Sequence, residues 1–332
     1  AMQDVRFDAE IEDNKVKSSQ SAKSGQMFCN KLWNAARFVL MNLDDYQPVK
    51  SRSCSDELAD RWIRSSLAST IELVDRHQEA FQFNEVTRAL YTFLWNDYCD
   101  WYVELAKTRL QGGSTERAIV QELLVEILEQ ALRLMHPVMP FVTEALWQAL
   151  PKISTEGSIM VASWPTRVIE DVDAKAEYEM GIIQDVISAV RNIRSELRVP
   201  PGKKINVVIS AGADMLSVLS NQAGYIQVCS QASEVKVGEN VQKPPSSGSA
   251  VIKDIELYVP LEGLIDIDEE SRRIQKEIDK FTKLLNGIES KLNQEKFLSK
   301  APQDVIDRER ERKKEYTESL SKLEDSLSTL IN

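Results

Sequence analysis

The sequence predicts a mainly α-helical protein with three parts: a helical bundle, a small α+β domain and an antiparallel coiled-coil hairpin. Three observations lead to this prediction. Apolar residues recur at helical spacing over much of residues 26–150, as on the buried face of a helix. Apolar and polar residues alternate over residues 204–210, which is typical of a strand. Residues 266–332 repeat apolar positions in alternating steps of four and three, the heptad pattern of a coiled coil.

Length and charge limit the class of protein. A chain of 332 residues is too long for one compact core and indicates two or three domains. A net charge of −11 argues against a general nucleic-acid binder, although a specific RNA site depends on local charge. No stretch is long and apolar enough to span a bilayer. The four cysteines lack CxxC spacing, so we expect reduced thiols in a cytoplasmic protein, without a metal site.

The first half of the chain is predicted to be a linker followed by the bundle. Residues 1–25 are rich in Ser and Lys and have no apolar period, so we expect a linker or flexible lead-in there. The first helix is expected over residues 25–43. Further helices are expected to begin near Ser55 or Asp56, at Asn84, at Glu116 and just after Pro140. On the second helix, five apolar residues should face inward: Leu58, Trp62, Leu67, Ile71 and Val74.

A connecting segment and a small α+β domain should follow the bundle. Residues 151–176 contain a short extended piece and then acidic residues, so we expect a crossing segment there rather than core. The α+β domain is predicted over residues 177–265. Its expected elements are helices over 178–197 and 215–228 and strands over 204–210, 234–237 and 251–260.

Residues 266–332 are predicted to form the two arms of the coiled-coil hairpin. The first arm has its apolar seam at Ile274, Ile278, Phe281, Leu285, Ile288 and Leu292. The second arm continues the seam at Tyr316, Leu320, Leu323, Leu327 and Leu330. Extending this register toward the turn reaches Lys313 and Glu309, so we expect a poor seam near the tip of the hairpin.

The sequence offers no catalytic constellation. It contains only two histidines, His77 and His136, and we expect both to be structural or surface residues. A Walker A motif, a GxGxxG motif and a Cys/His cluster with zinc-ligand spacing are all absent. We therefore predict no catalytic residue and no metal ligand in this chain.

The polar face of the first helix is a candidate binding surface. It carries two amides and two cations, which are groups that hydrogen-bond bases and phosphates: Asn30, Lys31, Asn34 and Arg37. A polar helix face is more often simply solvated. However, a solvated face is usually built from Glu and Lys, whereas asparagine is a mediocre helix former. Both interpretations stand on the pattern alone.

Several motifs along the chain resemble valyl-tRNA synthetases, which belong to the Val/Ile/Leu group of class I enzymes. FCNKLWNAARFVL at residues 28–40 is similar to the first helix of their anticodon-binding bundle. The others follow in the same order: LADRWI at 58–63, FNEVTRALYTFLWNDYCDWYVELAK at 83–107, HPVMPFVTEALW at 136–147, RNIRSE at 191–196 and PLEGLIDID at 260–268. The resemblance covers nearly the whole chain and identifies the fold as a class I synthetase anticodon-binding bundle with the two parts that follow it.

The resemblance implies two tRNA-binding surfaces. An anticodon loop presents unstacked bases, which need amide, cationic and aromatic partners. The third helix offers Trp95, Tyr98, Trp101 and Tyr102, although aromatics at helical spacing are usually core residues. We predict an anticodon site at Asn30, Lys31, Asn34, Arg37, Trp101 and Tyr102. The hairpin is expected to reach the elbow of tRNA through Arg272, Arg273, Lys276, Lys296, Lys300, Arg308 and Arg312.

The resemblance also implies an activity for the parent enzyme, which joins valine to tRNA(Val) with ATP and Mg²⁺. This chain lacks the HIGH and KMSKS motifs, so we expect a C-terminal fragment that is inactive alone and needs no cofactor. The expected partner is tRNA(Val), and the parent is expected to be a monomer. Isoleucyl and leucyl relatives share the bundle but end differently, so the hairpin favours valine. A protein-interaction scaffold built on the hairpin remains an alternative.

Overall fold

Most of the chain is helical in a computed structural model of the protein, which confirms the predicted fold class. The chain divides into two units, Ala1–Gly181 and Ile182–Asn332. Within the part that the structure describes, no helix is long and apolar enough to cross a membrane. The described residues are 9–12, 15–47, 55–151, 157–200, 202–261, 263–264, 267–294 and 302–331.

A short antiparallel hairpin of β1 (Ala9–Glu12) and β2 (Lys15–Ser19) precedes the bundle. Helix α1 (Gln20–Met41) follows directly, and the Ser19 hydroxyl accepts a hydrogen bond from the amide three residues on, at 3.4 Å. The sequence predicted a linker or flexible lead-in over residues 1–25, and the structure shows that this stretch includes a β-hairpin and the first turn of α1. Backbone hydrogen bonds hold a two-stranded hairpin, so it leaves no long apolar period in the sequence.

Helices α1 and α2 (Leu58–Glu79) each bury one apolar face in the first unit. All five residues predicted to face inward on α2 are buried, and on α1 the buried side chains are Phe28, Leu32, Ala35, Ala36 and Val39. Helix α2 begins slightly later than predicted. Ser55 lies before it, and its hydroxyl donates to Asp60 at 2.6 Å.

The third predicted helix has three segments, of which the middle one is π-helical. They are α3 (Phe83–Thr92), the π-helical segment (Phe93–Tyr102) and α4 (Val103–Arg109). A π-helix has more residues per turn than an α-helix, so its buried residues recur every four or five positions. The buried pairs are Phe93 with Leu94, Tyr98 with Cys99 and Tyr102 with Val103. An α-helical register therefore misplaces side chains beyond Thr92.

Helices α5 (Ser114–Met135) and α6 (Pro140–Ala149) complete the bundle. Helix α5 is buried along most of its length, including Val120, Leu123, Leu124, Ile127 and Leu128. Pro140 occupies the first turn of α6, where the missing amide hydrogen costs no hydrogen bond.

The connecting segment after α6 lies against α2. It contains two 3₁₀ turns, Ile159–Val161 and Ile169–Asp171. Between them, the Trp164 indole donates to the Asp75 carboxylate at 2.9 Å, and the Arg167 guanidinium pairs with Glu72 at 3.0 Å.

The predicted small α+β domain is built around helix α7 (Ala174–Glu196) and a four-stranded mixed sheet in the order β4-β3-β6-β5. The strands are β3 (Ile205–Ser210), β4 (Ala232–Gly238), β5 (Ser247–Ile252) and β6 (Ile255–Pro260). Strands β3 and β4 are parallel, and β6 is antiparallel to β3 and β5. The predicted helix over 215–228 is two helices, α8 (Ala213–Asn221) and α9 (Ala223–Ser230). The predicted strand over 251–260 is a hairpin that turns at Lys253, where φ is +52°.

Arg194 joins the end of α7 to the loops around the sheet. Its guanidinium is buried and donates to the carbonyls of Lys203, Ser230, Gln231 and Pro200 at 3.1–3.4 Å. Gly248 allows β5 to approach the same helix, because a Cβ there would lie 2.6 Å from Ile193 Cγ2. These contacts explain why the RNIRSE stretch combines charged and apolar residues.

Two long helices, α10 (Ile267–Leu292) and α11 (Gln303–Ile331), pack side by side as the predicted hairpin. Ile274, Ile278, Ile288 and Leu320 are buried in the seam. The Phe281 and Tyr316 rings meet edge to face with centroids 5.5 Å apart. The apolar seam predicted from the heptads is therefore present in the described part of the arm, and the side chain of the predicted seam residue Leu330 lies outside it.

Candidate nucleic-acid interface

The polar face of α1 has three of its four predicted residues in solvent. Asn30, Asn34 and Arg37 are exposed and lie on one side of the helix, opposite the buried Leu32 and Val39. Their amide and guanidinium groups can donate and accept hydrogen bonds at base edges or phosphates. The packed side of α1 holds them on a rigid element.

Lys31, the fourth predicted residue, is half-buried and already engaged. Its ammonium lies 2.5 Å from the Asp100 carboxylate and 3.8 Å from the centroid of the Trp95 ring. The lysine therefore joins α1 to the π-helical segment and places a positive charge beside an aromatic ring.

The predicted aromatic residues divide into core and surface. Tyr102 is 0% exposed, and its hydroxyl donates to the Asp60 carboxylate at 3.0 Å. Its burial contradicts the prediction that Tyr102 contacts an anticodon, because no face of the ring reaches solvent. Tyr98 is also buried, and its hydroxyl donates to the Leu124 carbonyl at 2.9 Å. Trp101 is half-buried and stays a predicted contact residue.

An ion pair in the core fixes the third helix in place. Asp60 is 0% exposed and receives two hydrogen bonds from Arg109, at 2.6 and 2.9 Å, besides those from Tyr102 and Ser55. Burial raises the pKa of the Tyr102 hydroxyl well above its ordinary value, so that group remains a donor. The network joins α2 to the π-helical segment and to the end of α4.

Sequence reasoning missed a cluster of three stacked rings at one end of the polar face. Phe28 on α1, Tyr91 on α3 and Trp95 on the π-helical segment lie with ring centroids 5.0–6.3 Å apart. The i, i+4 spacing of Tyr91 and Trp95 was visible in the sequence, but their pairing with Phe28 requires the tertiary packing of α1 on α3.

An acidic cleft lies between α2 and α3, with a volume of about 570 Å³. Burial raises the pKa of the Asp97 carboxyl to about 6, and the Ser66 hydroxyl donates to it at 2.5 Å. The neighbouring Glu177 carboxylate raises that pKa further and accepts hydrogen bonds from Ser65 and Ser69. The cleft contains none of the predicted RNA-contacting residues.

The two histidines have structural partners. The His77 ring hydrogen-bonds Gln82 at 2.7 Å where α2 turns into α3, and the His136 ring hydrogen-bonds Thr143 at 2.8 Å between α5 and α6. These contacts hold helix ends together, in keeping with the roles expected for them.

The arm presents cations mainly along its first helix. Arg272, Lys276, Lys280 and Lys283 are exposed, and their spacing places them along one face of α10. On α11, Arg308 is exposed. Arg273 pairs with Glu277 at 2.7 Å and Arg312 with Glu309 at 3.4 Å, so these predicted residues are engaged within the arm. The predicted Lys296 and Lys300 lie outside the described residues.

The half of the arm nearer the turn is held by both apolar and charged side chains. Ile306 is buried there, and Glu309 occupies the next seam position with 8% exposure. The Lys291 ammonium lies 3.9 Å from Glu309, and Lys313 pairs with Glu289 across the two helices at 2.8 Å. The polar residues that indicated a poor seam therefore form cross-helix ion pairs.

The bundle and the arm each match a known protein family. Residues 60–209 match the family described as the anticodon-binding domain of tRNA ligase. Residues 266–331 match the valyl tRNA synthetase tRNA-binding arm. The chain belongs to the valyl-tRNA synthetase family. The predicted pair of an anticodon-binding domain and a tRNA-binding arm is thus confirmed.

Curated relatives agree with this assignment over almost the whole chain. A valine–tRNA ligase of Bacillus subtilis is 41% identical over 318 residues, covering 95% of this chain and 35% of the relative. One of Syntrophotalea carbinolica is 42% identical over 307 residues, covering 91% of this chain and 34% of the relative. The chain therefore spans about a third of the length of the valyl-tRNA synthetases that it matches.

The candidate residues fall differently within the two matched segments. The predicted elbow residues of the arm all lie inside residues 266–331, and Trp101 lies inside residues 60–209. The polar face of α1 precedes the anticodon-binding match, so its role rests on geometry and on the likeness of its sequence.

The match to residues 60–209 runs past the predicted boundary at residue 177. The predicted limits 26–150, 151–176, 177–265 and 266–332 stay predictions.

Proposed function

We propose that this chain binds tRNA(Val), with the bundle contacting the anticodon and the arm contacting the elbow. The observation that supports the proposal is the joint presence of two different surfaces. One carries exposed amides and a guanidinium on α1, and the other carries the row of cations on α10. Amides suit base edges, whereas lysines and arginines suit the backbone of a folded RNA.

The chain would act by positioning rather than by chemistry. We propose that it holds tRNA so that the acceptor end reaches a catalytic site in the rest of a longer, monomeric, cytoplasmic valyl-tRNA synthetase. Valine activation there would use ATP and Mg²⁺, and this chain would bind neither, because its sequence lacks the HIGH and KMSKS motifs.

The test is a titration of the whole chain with tRNA(Val) and tRNA(Ile) at 50 and 200 mM salt. We expect tighter binding of tRNA(Val) and at least about a tenfold loss of affinity at the higher salt, since RNA binding releases counterions. Equal affinity for both tRNAs would overturn the assignment of specificity to this chain. Absence of RNA binding, together with salt-insensitive self-association, would favour an interaction scaffold instead.

A further inference from the structure

The three stacked rings, which we call the Phe28–Tyr91–Trp95 cluster, differ from an ordinary core cluster in their exposure. Phe28 is 4% exposed, but Tyr91 is 40% exposed. Their rings stack with centroids 5.0 Å apart and planes inclined by 28°. Trp95 stacks on Tyr91 at 5.4 Å and 14°. Tyr91 is therefore an aromatic ring that is held from within the bundle and open to solvent.

Packing makes Tyr91 well suited to receive another flat ring. A free surface tyrosine loses rotamer freedom when it binds, which reduces affinity. Phe28 and Trp95 already restrict Tyr91, so a further ring stacking on it would order little more of the protein. An aromatic side chain accepts any base in this way, because every base has a π-face.

The polar groups beside the cluster indicate which class of ligand fits. The Lys31 ammonium lies 3.8 Å from the Trp95 centroid and pairs with the Asp100 carboxylate at 2.5 Å, so the rings stand beside an ion pair. Asn30 and Asn34 lie on the exposed side of the same helix as Lys31. A flat ring with hydrogen-bonding edges, which suits both an aromatic platform and exposed amides, is the chemistry of a nucleotide base. A partner helix would instead need a continuous apolar groove.

We propose that Tyr91 is a stacking platform for one unpaired nucleotide of the bound RNA, on the side of the bundle that carries the exposed amides of α1. This inference rests on the proposed function and adds a contact residue to the bundle surface. It extends that surface from the amides of α1 onto the start of the third helix. Tyr91 positions a base by stacking and reads no base edge, so its contribution is similar for all four bases.

The first test compares Tyr91→Leu and Tyr91→Phe in the whole chain, with the tRNA(Val) transcript as the probe. We expect Tyr91→Leu to weaken binding about tenfold, because one stacked base is lost, and Tyr91→Phe to retain wild-type affinity. Tyr178→Leu is the matched control, since it removes another exposed tyrosine from the first unit, and it should leave affinity unchanged. Thermal melting of each variant shows whether packing on Phe28 has been lost.

The second test reads out stacking directly, by fluorescence. An anticodon stem–loop carrying 2-aminopurine at successive loop positions is titrated with the wild-type chain. Stacking on Tyr91 should quench the fluorescence at one position, and Tyr91→Leu should restore it. If the wild-type chain binds RNA but no position is quenched, or if Tyr91→Leu binds as tightly as the wild type, the inference is wrong. If the wild-type chain binds no RNA, the proposed function fails as well.

Discussion

The bundle and the arm are both assigned to tRNA binding, yet they are built differently. In the bundle, candidate residues lie on helices whose opposite faces are fully buried, and a buried ion pair between Asp60 and Arg109 fixes the third helix. In the arm, a single seam joins two helices, and the buried Glu309 belongs to it. The exposed cations of the arm are also attached by long flexible side chains.

This difference suits the two kinds of contact that we propose for the two surfaces. Hydrogen bonds to base edges need groups held within a few tenths of an ångström, which a deeply packed bundle provides. Contacts to a phosphate backbone tolerate movement, because a charge interacts over several ångströms in any direction. On the proposed function, the bundle is therefore suited to reading bases and the arm to reading shape.

Removing the buried carboxylate should have the largest effect. Asp60→Ala removes the acceptor that the Tyr102 hydroxyl shares with two N–H groups of Arg109, and Arg109 keeps its pair with the more exposed Glu116. We expect the bundle to lose about 3–5 kcal/mol of stability. Urea unfolding measures this, and hydrogen exchange should show faster opening in the bundle but not in the arm. Glu72→Ala, which breaks the exposed pair with Arg167, is the control, and its loss should stay below about 1 kcal/mol. Equal losses in both variants would contradict the role given to Asp60.

The acidic cleft predicts a pH dependence that is specific to the bundle. The pKa of Asp97 rises from 3.8 to about 6 on folding, so the folded state binds the extra proton between these values. Stability should therefore fall as the pH increases through this window and stay low above it. Asp97→Asn removes the cost, and we expect it to stabilise the chain by up to about 3 kcal/mol at pH 8 and by much less at pH 4. A difference that does not change with pH would contradict the assignment.

If the bundle reads bases, removing one of its amides should lower the affinity for tRNA without changing how that affinity depends on salt. Asn34→Ala should weaken binding of tRNA(Val) by about 1–2 kcal/mol, with an unchanged slope of log affinity against log salt concentration. Alanine is the better helix former, so the loss cannot come from melting of α1. Asn192→Ala removes an exposed asparagine on α7 and should bind normally. A steeper or shallower salt slope in Asn34→Ala would show that its contact is to the backbone instead.

The arm should behave in the opposite way. Combining Arg272→Gln with Lys276→Gln should reduce the salt slope by about two and weaken binding by about 1 kcal/mol, equally for tRNAs with different anticodons. The control is Lys175→Gln, which removes an exposed cation on α7 outside the predicted surfaces. An unchanged slope would exclude both cations from the interface.

The smallest expected effect concerns the seam of the arm. Glu309→Leu replaces a buried charge at a seam position, so we expect a gain of about 1 kcal/mol in the stability of the second unit. Glu311→Leu, at an exposed position on the same helix, should change stability by no more than about 0.5 kcal/mol. Thermal unfolding distinguishes the two. A clear loss in Glu309→Leu would mean that its pairs with Lys291 and Arg312 stabilise the arm.

Regular periodicity made much of this fold predictable. The heptads placed the arm seam, and the inward residues of α2 followed from helical spacing, because one buried stripe dominates each of these helices. The predicted side-chain positions on the third helix were partly wrong because its middle turns are π-helical. Tyr102 then faces the core, although an α-helical register allowed it a surface position.

The candidate site was less predictable than the fold. The sequence could place three residues on the polar face of α1, namely Asn30, Asn34 and Arg37. The apolar residues on the opposite side of the helix are buried, and this fixes which side faces solvent. Tyr91 could not, because its neighbours Phe28 and Trp95 come together only through tertiary packing. The short β1–β2 hairpin was missed for a similar reason, since its pairing uses backbone groups that every sequence has.

The most direct test of the account compares tRNA(Val) with a tRNA(Val) whose anticodon has been changed. Both are titrated against the wild-type chain, Asn34→Ala and the combined Arg272→Gln, Lys276→Gln variant. We predict that the wild type and the arm variant discriminate between the two tRNAs to the same degree, while Asn34→Ala loses much of that discrimination. Discrimination that survives in Asn34→Ala, or that disappears in the arm variant, would contradict the division of base reading and shape reading between bundle and arm.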